Sequence, residues 1–472
     1  MTGGPAAPGA TGPHLGVVAD DVTGACDLAD AVRDAGGSAV VVLGVPGAGL
    51  ELPPCDCAVV ALRTRTAPRA QAVAESVASA RWLLDHGARA LYQKYCSTFD
   101  STDEGMIGPV ADALLALLGP AAVAVGTPAT PRAGRTQYQG HLFVGDRLLS
   151  ESPLRDHPLT PMRDPDLVRV LGRQTPRPVA LLDHQAVLSG EAAVALERLA
   201  GDGARHVLAD ALTDADLDAL AAAVPLPSRP VLLGGAAGLA AALARRGSRD
   251  TRPSPLAPPA PAASSPAASS PAPAPSPAPS SLVPSPLAPS PHESRAPGAR
   301  EDRPALVVSG SCSARTLEQI GRFVGPRITL DAVALDADRE GTLDGVLRAL
   351  ADAYAAGPGP VLVASSAEPA AVRATQERLG ARRAAALLED AAGEVASRAV
   401  RDLGVGRLLV AGGETSGAVA AALGLRVLHV GPAAAPGVPW MMPADSPGLS
   451  VLLKSGNFGG PDLFRTAWEA CP

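Results

Sequence analysis

Two aspartates stand side by side near the start of this chain, in the run Ala19-Asp20-Asp21-Val22-Thr23-Gly24-Ala25, where an apolar segment gives way to helical periodicity. One of them has an ordinary use, since Asp and Thr cap helix N-termini by accepting from free backbone N–H groups. A cap needs one carboxylate, so the second is available to hold a substrate hydroxyl or act as a general base. A second run, Gln93-Lys94-Tyr95-Cys96-Ser97-Thr98-Phe99-Asp100-Ser101-Thr102, puts a cation, several hydroxyls and a carboxylate on one loop. Lys94 suits a carboxylate, while Ser97 and Asp100 suit hydroxyls, a set that fits a polyhydroxylated acid; a solvated loop can have the same composition. Arg135, in the run 128–136, offers a planar fork for a carboxylate. The nearby His141 is of a type more often structural than catalytic. Arg63-Thr64-Arg65 is a further anion candidate, with surface solvation as the plain alternative.

A different chemistry gathers toward the C-terminus. Ala411-Gly412-Gly413-Glu414-Thr415-Ser416-Gly417 follows an apolar segment and precedes a helix of small residues. Strand, glycine turn and helix start together make an anion site, because glycine lets the backbone approach closely and the first N–H groups of a helix are free. Val308-Ser309-Gly310-Ser311-Cys312-Ser313 and Lys454-Ser455-Gly456-Asn457-Phe458-Gly459 are turns of the same kind. Each alone reads as a capped helix start, but three in one small domain favour a nucleotide. None is a GxxxxGK[ST] loop or a protein-kinase glycine loop, and no dinucleotide fingerprint follows the first strand.

Alternating strands and helices must position these groups. Strands are expected at 15–19, 38–43, 58–62, 90–94, 121–125, 178–183, 206–209 and 230–234, then at 305–309, 328–330, 360–365, 407–411 and 426–430. Helical patterns lie at 24–35, 67–86, 107–118, 313–323, 342–355, 417–423 and 371–400, the last broken near Gly380. The fold class is α/β: two domains of mainly parallel sheets flanked by helices, with ligands beyond the carboxyl ends of the strands. Residues 1–14 read as a disordered leader and not a signal peptide. Residues 15–250 form the first domain and 303–472 the second. Residues 251–302, almost wholly Pro, Ala and Ser, read as a disordered linker.

Composition narrows the class. Hydrophobic residues are 47% of the 472, but aromatics only 3%, and the formal net charge is −7. A nucleic-acid platform needs cationic patches and stacking rings, so none is expected. Asp112 and Pro120 interrupt the best apolar stretch, so no membrane span is expected. Six cysteines without a CxxC pair read as reduced thiols of a cytoplasmic protein, with Cys55 and Cys57 at a strand end rather than in a metal clip.

As a set, these motifs resemble the four-carbon acid sugar kinase family, over nearly the whole chain and in the family's order. The strings 94–102 and Gly140-His141-Leu142-Phe143-Val144-Gly145-Asp146, with His157-Pro158-Leu159-Thr160-Pro161-Met162 after them, are similar to its 3-oxo-tetronate kinase branch. The resemblance implies ATP-dependent phosphorylation of the terminal hydroxyl of a 3-oxo-tetronate, with Mg²⁺ expected on the phosphates. Arg63, Lys94 and Arg135 would hold the substrate carboxylate, and Ser97, Asp100, Asp20 and Asp21 its hydroxyls, with Asp20 or Asp21 acting on the attacking one. Ser311, Gly412, Gly413, Glu414, Thr415 and Gly456 would cradle ATP. Alternatives are a D-threonate or D-erythronate kinase and a non-catalytic sensor of acid sugar and nucleotide; a homodimer is left open. Met106 stands where the family pattern has Asn, Arg163 where a small hydroxyl residue is usual, and the linker is long for the family.

Overall fold

A computed structural model describes residues 12–156, 160–224, 226–250, 303–365 and 369–472. The expected linker at 251–302, most of the leader and the string His157-Pro158-Leu159 lie outside the described residues. The strands Leu15–Ala19, Ala39–Leu43 and Cys57–Ala61 are short runs of Val, Ala and Leu, nearly all buried. Such continuous apolar strands belong to a parallel sheet covered on both faces. The helix Val22–Asp34 covers one face, burying Val22, Ala25, Cys26, Leu28, Ala29 and Val32 at helical spacing. With few aromatics available, small side chains let helix and sheet approach closely.

Among the described residues, fifteen strands form one sheet. From one edge the order is Arg327–Thr329, Pro360–Ala364, Ala305–Ser309, Arg407–Ala411, Ser450–Lys454, Val438–Pro443 and Val427–Ala435. It continues through Ala39–Leu43, Cys57–Ala61, Leu15–Ala19, Ala90–Lys94, Val231–Gly235, Val123–Thr127, His206–Ala209 and Val179–Leu182. Within each half the strand ends are level. Ala19 lies opposite both Ala61 and Lys94. Ser309 lies opposite Ala364 and Ala411, and Ala411 opposite Lys454. Matched register therefore sets 20–21, 62–65 and 95–100 side by side at one sheet end, and 310–313, 412–415 and 455–459 side by side at another.

The sequence reading sees a strand at 426–430 and none after it. In the structure this strand runs to Ala435, turns through Gly437 at φ +71°, and returns as Val438–Pro443. Prolines at 432, 436 and 439 disguise the hairpin; register shifts between Val430 and Ala435 accommodate them. Its first strand pairs antiparallel with Ala39–Leu43, which joins the two halves. The strands of the two halves thus run in opposite senses along the sheet. Twist of about 20–25° per strand, over the six steps from Leu15–Ala19 to Arg407–Ala411, rotates the second half by roughly 120–150°. Reversal and twist nearly cancel, so both sets of carboxyl ends open toward one cleft.

A three-stranded antiparallel sheet, Arg135–Tyr138, His141–Val144 and Arg147–Leu148, lies apart from the main one and carries Arg135. Its first turn has φ +51° at Gln139 and +74° at Gly140. Asp210 accepts the N–H groups of both, at 2.7 and 3.0 Å. His141 points Nδ1 at the Gln139 carbonyl, 2.7 Å away, a structural use. Among the described residues none of the six cysteines forms a disulfide, and Cys57 is buried at its strand start. Among the described residues, no helix is long and apolar enough to cross a membrane.

Candidate active site

The aspartate pair turns chiefly to an arginine rather than to the helix it precedes. Asp21 is the N-cap residue of Val22–Asp34, yet its carboxylate makes no capping hydrogen bond. Both carboxylates turn to Arg65. Its Nε and Nη2 donate to the two oxygens of Asp20 at 2.9 and 2.8 Å, and Nη2 also donates to Asp21 at 2.7 Å. The other Asp21 oxygen accepts from the Thr23 hydroxyl at 2.6 Å. Asp100 stands 3.7 Å from Nη1 of the same guanidinium and accepts from the Thr98 hydroxyl at 2.7 Å. Burial lifts the Asp20 carboxyl above its ordinary range against the pull of Arg65. Burial pushes Asp21 the same way, but the charges of Arg65 and Lys94 and the Thr23 hydrogen bond outweigh it and hold Asp21 low.

Lys94 is buried, and its Nζ donates to the Tyr95 carbonyl at 3.0 Å. The ammonium lies close over Gly24, where a Cβ would stand 2.8 Å from Nζ, so the glycine admits the lysine to the helix. Phe99 and Asp100 adopt φ of +65° and +36°. Non-glycine residues rarely enter that region, and such strain concentrates at functional loops. Here it bends the loop so that Asp100 faces Arg65. Arg135 donates to the Ala133 carbonyl, while its Nε is buried without a partner among the described residues.

On the other side the three Gly/Ser turns interlock. The Gly412 N–H donates to the Lys454 carbonyl at 3.0 Å, and that of Ser311 to the Ala411 carbonyl at 3.2 Å. Ser313 caps the helix Ala314–Arg322 by accepting from the Thr316 N–H, the ordinary use of such a residue. The hydroxyls of Ser313 and Thr316 also donate to the Gly456 carbonyl at 2.7 and 2.8 Å. A side chain at Gly310 would come within 2.1 Å of Thr415 Oγ1, and one at Gly456 within 2.4 Å of Ser311 Oγ. Gly412, at φ +122°, leads into the helix Gly413–Ala422. Its first-turn N–H groups have no partner within the helix and favour an anion. Lys454 is fully buried, its Nζ donating to Thr316 Oγ1 at 3.1 Å and the Gly456 carbonyl at 3.2 Å. Burial, with Arg315 adding, brings its ammonium down to about 7.

One cavity of about 1100 Å³ collects both ends. Asp20, Asp21, Lys94, Ser97, Asp100 and Arg135 line one wall, with Arg65; Ser311, Gly413, Glu414 and Gly456 line the other. Gly412 and Thr415 lie behind that second wall. Arg63 crosses between the walls. It donates to Glu414 and, at 3.3 Å, to Glu389, with its stem laid against Gly417. The sequence reading puts Arg63 on the substrate carboxylate; the structure pairs it with Glu414 and Glu389 and makes Arg65 the arginine beside the aspartates. Met106 lines a crevice of about 20 Å³ behind Asp20, Arg65, Lys94 and Asp100. Asp27 and Asn457 also line the main cavity, and the sequence reading assigns neither a role. Asp27 had a legible signal, since it follows Gly24 by three residues and so shares its helix face.

A carboxylate-and-hydroxyl wall facing a glycine-turn anion wall is the build of a small-molecule kinase, where positioning and charge carry the chemistry. The chain belongs to the four-carbon acid sugar kinase family. A family described as "Sugar-binding N-terminal domain" matches residues 15–243, and one described as "Nucleotide-binding C-terminal domain" matches 306–464. A protein of Cupriavidus necator named 3-oxo-tetronate kinase is 43% identical over 467 residues, covering 96% of each chain. A Methylobacterium radiotolerans protein of the same name is 44% identical, covering 96% of this chain and 98% of its own. A solved structure from Salmonella typhimurium LT2 superposes with TM-score 0.77 at 33% identity, covering 97% of this chain and 99% of its own. A Haemophilus influenzae structure gives 0.67 at 32%, covering 96% and 99%.

Proposed function

We propose that the protein transfers the γ-phosphoryl group of ATP to the terminal hydroxyl of a 3-oxo-tetronate, giving the 4-phosphate and ADP. The observation that carries this reading is the single cavity of about 1100 Å³ with an acid-sugar wall and an anion wall. The relatives named 3-oxo-tetronate kinase, 43% and 44% identical, support the substrate class. Lys94 and the unpartnered Nε of Arg135 are the cations for the sugar carboxylate. Ser97 and the carboxylates that Arg65 organises meet its hydroxyls. Ser311, the turn 412–415 and the turn at Gly456 receive the phosphates through N–H and hydroxyl groups. Mg²⁺, the usual companion of ATP, would ride on the phosphates, screening their charge. The described residues offer no group of three or more His, Cys, Asp or Glu arranged to hold it.

The test is ADP release measured by a coupled assay over a panel holding 3-oxo-tetronates, D-threonate and D-erythronate. Turnover is expected with a 3-oxo-tetronate, and a product phosphorylated at the terminal oxygen. Turnover confined to threonate or erythronate would move the substrate assignment. Binding without turnover on the whole panel would remove the enzyme.

A further inference from the structure

We infer that Asp27 is the carboxylate that takes the proton from the acceptor hydroxyl. The inference rests on the kinase reading above. Five carboxylates of the sugar wall, Asp20, Asp21, Asp27, Glu75 and Asp100, line the cavity and compete for the role, and four are already held. Asp20 accepts twice from Arg65; Asp21 accepts from Arg65 and Thr23; Asp100 accepts from Thr98 with Arg65 close by; Glu75 accepts from Gln71 at 2.8 Å. Taking a proton on any of these means giving up or sharing a donor it already holds. Among the described residues, Asp27 has no hydrogen bond or ion pair to its carboxylate.

Its position is also the apt one. Asp27 lines both the main cavity and an adjoining one of about 400 Å³, together with Asn457 and Phe458 of the nucleotide side. A side chain at Gly437, the hairpin turn that joins the halves, would stand 2.5 Å from Asp27 Oδ1 and 2.8 Å from the Phe458 ring. Asp27 is thus at the seam, where a sugar hydroxyl must meet a γ-phosphate. The charged groups that face it are Lys94 from the strand end, Arg135 from the small sheet, and Asp21 and Asp30 from its own helix. From the nucleotide side Gly437, Asn457 and Phe458 bring no charge. Burial, moderated by Lys94, lifts its carboxyl to about 6, so it is an anion at neutral pH yet basic enough to act. As the hydroxyl oxygen bonds to the γ-phosphorus, the bond from that phosphorus to the β–γ bridging oxygen breaks. The hydroxyl proton passes to Asp27, and ADP leaves with the electron pair.

Wild type, Asp27→Asn and Asp27→Glu are compared in kcat from pH 5 to 9, with ATP affinity by calorimetry. Expected are an acidic limb near pH 6 in the wild type, and a loss of about 100-fold or more in kcat for Asp27→Asn together with that limb. ATP affinity should stay within about threefold, and Asp27→Glu should recover rate and limb in part. A wild-type kcat flat from pH 5 to 7 would overturn the proposal without any variant. So would an Asp27→Asn enzyme within about tenfold of wild type. The failures separate. A wild type silent on every sugar acid removes the kinase reading and the base with it, whereas an active wild type beside an equally active Asp27→Asn removes the base alone.

Discussion

Arg65 grips Asp20 through two parallel hydrogen bonds, 2.9 Å from Nε and 2.8 Å from Nη2, and the same Nη2 reaches Asp21. Two adjacent half-buried carboxylates are tolerable because one planar fork serves both. Lysine is a point charge and cannot span them. Arg65→Lys should lower kcat/KM by about 100-fold and cost about 1–3 kcal/mol of stability, since the half-buried carboxylates lose their paired donor. Calorimetric unfolding and steady-state kinetics check both. Unchanged stability would mean that water already compensates the pair.

The interlocked glycine turns depend on the absence of a side chain at Gly456, where a Cβ would fall 2.4 Å from Ser311 Oγ and 3.1 Å from Ser313 Oγ. Gly460, four residues on, has nothing within 4 Å. Gly456→Ala should raise the ATP KM about tenfold or more while Gly460→Ala changes it less than about twofold, from steric displacement alone. Equal effects from the two would show that the turns do not interlock as described.

Among the described residues Lys454 meets no carboxylate, and it anchors the Gly456 carbonyl. Its folded value of about 7 lies below the unfolded value near 10.4, so between those pH values the unfolded chain binds more protons and stability rises with pH. Below about pH 7 the full penalty of burying the ammonium stays. Lys454→Met should therefore gain stability most at low pH, while losing about tenfold in ATP affinity with the Gly456 anchor. Thermal unfolding at pH 6 and pH 9, with calorimetric ATP titration, reads both effects.

Asp30 is 1% exposed, accepts the Gly437 N–H at 2.9 Å through one oxygen and leaves the other unpartnered. Burial lifts its carboxyl to about 6, against about 3.9 unfolded. Between those values the folded chain binds more protons, so its contribution falls as pH rises from about 4 to about 6 and stays lost above. Asp30→Asn keeps an acceptor for Gly437 and removes the charge. It should be more stable than wild type by about 1–2 kcal/mol at pH 8, with the gap closing toward pH 4. A gap that does not change with pH would place the effect in packing rather than charge.

Much of this protein is written locally. Short buried runs of Val, Ala and Leu mark strands, 3.6-residue periodicity marks helices, and glycines at strand ends mark anion turns, because each depends on neighbours within a few residues. The strand-end positions of Asp20-Asp21, Lys94, Ser311 and Gly412 follow from those signals. Which groups meet did not. Arg63 and Arg65 have the same type and neighbourhood, yet one pairs with Glu414, 351 positions away, and the other with Asp20. The bulged hairpin at 427–443, hidden by its prolines, joins two sheets into one, and the accumulated twist turns both sets of strand ends to a common cleft. Asp27 is an ordinary helical aspartate until Gly437 and Phe458 close over it. Local residues set what each strand end carries; long-range packing and sheet twist, which no short window contains, decided what each one faces.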